Sequence, residues 1–181
     1  MTIRADRLLA TVVGYALVVS PYVSFAQTPP RLVRNPSLSA DRIAFLFADE
    51  IWTMPRSGGA ATQLTTGGTA RTGPFFSPDG RSIAYSAVSG GATDIFIIPA
   101  TGGAPQRVTW HPGAENVVGW SPDGRDVLFS SNRQNRLTGG GTLALYRAHA
   151  DGSGTPVALP FPMASMISIS PDGKRAAYVP T

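Results

Sequence analysis

Few side chains in this 181-residue sequence could carry out chemistry: two His, 11 Asp and Glu, and no Cys. The lack of thiols excludes a cysteine nucleophile, a thiolate zinc site and a disulfide scaffold. A serine nucleophile is expected in a Gly-x-Ser-x-Gly elbow, and Gly152-Ser153-Gly154 is too short for one. A metal needs converging His or carboxylates, whereas Asp41, Asp79, Asp123 and Asp172 each follow a Ser by two residues and read as turn residues. Gly90-Gly91-Ala92-Thr93-Asp94 is faintly similar to a calcium-binding glycine repeat, but it occurs once and lacks the next Gly. No catalytic residue, metal or cofactor is therefore expected here. His111, beside Trp110, reads as a loop-packing residue rather than a base.

Arginine is the remaining reactive type. Lys174 is the only Lys among 15 cations, and the formal net charge is +4. Nucleic-acid surfaces concentrate such charge in a stripe; here it is scattered, so no nucleic-acid partner is expected. Guanidinium groups suit a bidentate grip on a carboxylate. Whether any Arg does this depends on what the fold brings together.

The positioning element is a repeat. Ser77-Pro78-Asp79-Gly80 recurs as Ser121-Pro122-Asp123-Gly124 and Ser170-Pro171-Asp172-Gly173, with a degenerate copy at Ser39-Ala40-Asp41-Arg42. The spacings of 38, 44 and 49 residues are near those of a four-stranded propeller blade. Each turn is followed by an apolar run (Ile43-Ala44-Phe45, Ile83-Ala84-Tyr85, Val127-Leu128-Phe129, Ala176-Ala177-Tyr178). After the first three comes a run carrying an aromatic (Ile51-Trp52, Ile95-Phe96, Leu145-Tyr146) and then a small-residue turn at Gly58-Gly59, Gly102-Gly103 or Gly152-Ser153. Pro sets φ at the first central position and Gly accepts the left-handed one, so Asp79-Gly80, Asp123-Gly124 and Asp172-Gly173 are predicted structural turns joining antiparallel strands. In the first copy the gap from Ser39 to Ile43 is two residues shorter than from Ser77 to Ile83. An even deletion preserves side-chain alternation, so Arg42 can stand where Gly stands elsewhere. His149 takes the slot of Pro55 and Pro99 and is expected at a solvent-facing strand end.

The 20 Gly and 16 Pro of the chain agree with many short strands and tight turns. The fold class is therefore all-β: an incomplete β-propeller over residues 36–181, with blades at 36–70, 71–114 and 115–163 and a partial fourth at 164–181. Within each unit the strands run a to d, and the b-to-c and d-to-a loops share one face. That face should hold Arg71, Trp110, His111, Glu115, Asn116, Arg133 and Arg136. The unfinished fourth blade is expected to leave an apolar face and a strand edge near Ala176–Val179, favouring self-association.

Residues 1–26 read as a signal-peptide helix, with 27–35 as linker. Arg4 and Arg7 precede an apolar run from Leu8 to Val19, Pro21 ends it, and Ser24-Phe25-Ala26 offers a cleavage site after Ala26. Export to the periplasm is expected, with membrane contact only through an uncleaved leader.

The turn, aromatic and Gly-Gly features together resemble the propeller repeats of TolB-like proteins and of propeller-bearing serine peptidases. Val108-Thr109-Trp110-His111-Pro112-Gly113, Val118-Gly119-Trp120-Ser121, Val127-Leu128-Phe129 and Ser131-Asn132-Arg133 resemble the amino-terminal propeller of tricorn-type serine peptidases, and Arg34-Asn35-Pro36 and Glu50-Ile51-Trp52 fit the same family. The resemblance covers residues 34–180. It implies a large peptidase whose propellers gate and wall a chamber, with its catalytic residues in other domains. The implied partners are peptide substrates and the remaining blades and peptidase domains of the parent chain. It also implies basic propeller residues that hold a peptide's carboxyl end. Arg133 and Arg136, in the long loop from Ser130 to Thr142, are the first candidates for that role, with Arg71, Trp110 and His111 around them. The alternative is a TolB-like periplasmic propeller that docks a protein partner.

Overall fold

The computed structural model describes residues 32–133, 143–161 and 163–180. The leader, most of the linker and Arg136 lie outside the described residues. The described residues form fourteen strands and no helix. The first sheet holds β1 (Arg34–Leu38), β2 (Arg42–Phe47), β3 (Glu50–Pro55) and β4 (Thr62–Gln63). The second holds β5 (Ala70–Phe76), β6 (Ser82–Ser89), β7 (Ala92–Pro99) and β8 (Gln106–Arg107). The third holds β9 (Glu115–Trp120), β10 (Asp126–Ser131), β11 (Ala144–His149) and β12 (Val157–Ala158). β13 (Ala164–Ile169) and β14 (Ala176–Pro180) form a fourth, two-stranded sheet. Each strand pairs with the next one in its sheet, so the chain is a row of antiparallel meanders. β1 begins inside the stretch read as linker, and Ala70 opens the second sheet.

The corners form as their composition demands. The amides of Gly80, Gly124 and Gly173 donate to the carbonyls of Ser77, Ser121 and Ser170 at 2.8, 2.9 and 2.8 Å. These glycines sit at φ of +72°, +71° and +71°, where a Cβ is crowded. Each serine hydroxyl donates to the following Asp at 2.6 Å and accepts the amide of Ser82, Asp126 or Arg175. In the first sheet Ser39 bonds Arg42 across the turn instead, its amide reaching the Arg42 carbonyl at 2.9 Å. The corner is two residues shorter, and the strands beyond it keep their register: Phe45 faces Trp52 as Tyr85 faces Phe96 and Phe129 faces Tyr146.

Packing follows from alternation along strands that are apolar on both sides. Ile83, Tyr85 and Ala87 pack with Ala44, Leu46 and Ile51 of the first sheet. Ala84, Ile95 and Ile97 of the second sheet turn the other way, onto Val117, Val127 and Phe129. Leu128 and Leu145 then meet Ala164 and Ile167 of the fourth sheet. Aromatic rings stack across the paired strands, Tyr85 on Phe96 at 5.8 Å and Phe129 on Tyr146 at 5.6 Å. The corners succeed one another on one side of the molecule: a Cβ built on Gly80 lies 3.2 Å from Ser39, and one on Gly124 lies 3.5 Å from Pro78 of the sheet before it. β14 is exposed throughout.

Candidate functional site

The b-to-c and d-to-a loops define the opposite face, and acidic residues at strand ends organise it. In the first sheet the two-residue connection Ala48-Asp49 has φ of +54° and +58°, a twist that suits tight hairpins. At this corner the second sheet uses Gly90-Gly91. The Asp49 carbonyl accepts the Ala70 amide at 3.0 Å. Its carboxylate meets Arg34 at 2.9 Å and Arg71 at 3.7 Å. All three side chains are about half exposed, so two guanidinium groups share one carboxylate at the rim.

Beneath this rim the carboxylates are buried. Glu50 accepts the Thr65 hydroxyl at 2.5 Å and the Gly68 amide. Asp94, fully buried, accepts Arg107 at 2.8 Å and the His111 amide at 3.2 Å. Arg107 in turn lies 5.6 Å from the ring centre of Trp110, a cation–π distance, and Trp110 itself is 63% exposed. Glu115, fully buried at the start of β9, pairs with Arg133. That guanidinium lies over the rings of Phe129 and Tyr146, at 5.3 and 4.9 Å. His111 Nδ1 accepts the Gly113 amide at 2.9 Å. A buried acid without its partner is costly, so these contacts fix where each loop leaves the sheet.

Burial pushes the Tyr146 phenol above its ordinary value, with Arg133 opposing and Glu115 adding to the shift. Tyr85 is pushed up to about 12, by burial first and the Glu50 charge second. On the turn face the Ser hydroxyls hold Asp79, Asp123 and Asp172 below the usual carboxylate range, assisted by the amides of Arg81, Arg125 and Lys174. His149 is solvent-facing, and its Nδ1 lies 2.7 Å from Asp126, which also takes Arg147 at 3.0 Å.

The residues singled out from sequence therefore separate. Arg71 reaches the rim, Trp110 and His111 shape one loop, and Arg133 points inward with its charge committed to Glu115. Asp79, Gly80, Asp123, Gly124, Asp172 and Gly173 all lie in corners on the far face. Sequence reasoning gave no role at this face to Arg34, Asp49, Asp94 or Arg107. One signal was available: an acid directly before the apolar pair of strand c, in Glu50-Ile51 and again in Asp94-Ile95. Among the described residues no three of His, Asp or Glu converge as metal ligands. A cavity of about 650 Å³ follows the inner strands β5, β9 and β13, lined by Phe75, Val118, Trp120, Leu128, Met166 and Ile167 among others. The chemistry on offer is hydrogen bonding, ion pairing and apolar contact.

The family described as the tricorn protease N-terminal beta propeller domain matches residues 30–181. A tricorn protease homolog from Streptomyces coelicolor is 43% identical over 56 residues, covering 30% of this chain and 5% of that protein. The crystal structure of the tricorn protease superimposes with a TM-score of 0.65 at 27% identity, covering 80% of this chain and 15% of that one. A TolB structure from Agrobacterium tumefaciens gives a TM-score of 0.69 at 24% identity over 82% of this chain and 54% of its own, a likeness of fold. The chain thus spans only a small part of the tricorn relatives it matches.

Proposed function

The chain belongs to the tricorn protease N-terminal β-propeller family, and on that premise we propose that it forms one wall of a peptide-processing peptidase and presents its loop face to peptide substrates. The observation that carries this reading is the rim where Arg34 and Arg71 share Asp49. It holds one more cation than it neutralises, so it offers a carboxylate a guanidinium contact without first breaking a buried pair. Trp110, exposed on the same face, adds an aromatic surface for a neighbouring side chain. Arg133 spends its charge on Glu115, which shifts the weight of the reading from that residue to Arg34 and Arg71. In this proposal the catalytic groups come from other domains of the parent chain, and the leader read in residues 1–26 directs the enzyme to the periplasm.

The test is Arg34→Ala combined with Arg71→Ala in the complete enzyme. KM is expected to rise by about tenfold for peptides with a free carboxyl end, the worth of one charge-assisted contact. It should change little for the same peptides with an amidated end. An equal effect on both sets removes the carboxylate role. Turnover untouched for either set favours the alternative, a TolB-like module that docks a protein partner.

A further inference from the structure

Four Asp-Gly pairs occupy exposed corners: Asp79-Gly80, Asp123-Gly124, Asp151-Gly152 and Asp172-Gly173. In a flexible chain this dipeptide rearranges readily, because Gly puts no side chain in the way of its own amide nitrogen as that nitrogen attacks the Asp γ-carbon. The N–Cγ bond forms from the protonated acid, whose hydroxyl leaves as water together with the amide proton. The resulting cyclic imide takes water back at either carbonyl. Addition at the α-carbonyl reroutes the main chain through the side chain as isoaspartate, with no net change in composition.

Here both reacting groups are held. The nucleophile's hydrogen is donated elsewhere, from Gly80, Gly124 and Gly173 to serine carbonyls at 2.8–2.9 Å and from Gly152 to the His149 carbonyl at 2.9 Å. The electrophile is pinned as well. One oxygen each of Asp79, Asp123 and Asp172 takes a serine hydroxyl at 2.6 Å. The same oxygen takes the amide two residues on at 3.0–3.1 Å. Asp151 has no such serine before it and takes the Ser153 amide at 2.8 Å.

We propose that these four corners are latent aspartyl-isomerisation sites kept closed by the native turn, and that Ser77, Ser121 and Ser170 are the latches at three of them. The same serine bonds keep these carboxyls ionised further into acid than usual, and a carboxylate is a poorer electrophile than the protonated acid.

The test ages the full chain in mildly acidic buffer, beside the same chain in concentrated urea, and locates isoaspartate by peptide mapping with electron-transfer fragmentation. Folded protein is expected to isomerise at each corner at least about tenfold more slowly, since reaction must wait for local opening. Ser121→Ala should raise the rate at Asp123 several-fold while Asp79 and Asp172 stay unchanged. Ser77→Ala repeats the comparison at Asp79 with Asp123 as its control, so the result does not depend on one variant folding. Equal rates in buffer and urea overturn the proposal. So does a serine variant that leaves its own corner unchanged, or one that accelerates every corner together.

Discussion

A serine hydroxyl donating to a carboxylate two residues away favours the ionised form of the Asp at three corners. Because Asp79, Asp123 and Asp172 have folded pKa values below the ordinary 3.8, folding favours their ionised forms. Their contribution to stability is complete above that ordinary value and is lost as pH falls through the lower folded values. Thermal melts are therefore expected to hold a level Tm through the neutral range and to drop once pH passes below about 4; a Tm that does not move there contradicts the assignment. These corners were legible in the sequence because every participant lies within five residues of the others. Asp94 and Glu50 were not, since their partners Arg107, His111, Thr65 and Gly68 stand 13 to 18 residues away.

Strand pairing was legible to within a few residues, from turn chemistry and apolar runs that alternate between two neighbours. The outer strand d is the exception. The two-residue strands β4 and β8 stop just short of the pairs Leu64-Thr65 and Val108-Thr109. The cause is local: the Leu64 and Val108 amides still donate to the Ile51 and Ile95 carbonyls at 2.8 Å, but the hydroxyls of Thr65 and Thr109 accept the amides of Ile51 and Ile95 at 2.8 and 3.0 Å, so a side chain takes the return bond of the main-chain ladder. The corners also differ in a way their shared motif conceals. Gly80→Val and Gly124→Val should each cost about 1–2 kcal/mol for the left-handed conformation. Gly80→Val should cost about 1 kcal/mol more, because its Cβ would press on Ser39 at 3.2 Å against 3.5 Å to Pro78 for Gly124. Urea unfolding midpoints of the two variants check the order.

Across the whole molecule, stability comes from sheet stacked on sheet, through interfaces that are mainly apolar and carry a few hydrogen bonds, such as the Val117 amide to the Ser86 hydroxyl at 2.8 Å. The fourth sheet buries Ala164 and Ile167 against the third but leaves Met166 60%, Tyr178 41% and Val179 51% exposed. The equivalents of Tyr178 in the second and third sheets, Tyr85 and Phe129, are 4% and 0% exposed. An apolar strand edge of this kind invites pairing, so the purified chain is expected to self-associate. Light scattering reads this directly, and a sharp monomer peak with a cooperative melt contradicts it. Met166→Lys with Tyr178→Lys should shift the distribution toward monomer.

By itself the sequence determined the meander order, the corners, the two-sided apolar strands and the family resemblance, since each rests on contacts within one repeat or on a pattern recurring between repeats. Tertiary structure decided which charges are spent and which are free. Arg133 and Arg71 are indistinguishable as letters in the sequence. Pairing within the third sheet places Arg133 on a buried Glu115 and over the rings of Phe129 and Tyr146, while stacking of the second sheet on the first leaves Arg71 to share Asp49 with Arg34, because a guanidinium's availability depends on the acids that the folded chain brings against it.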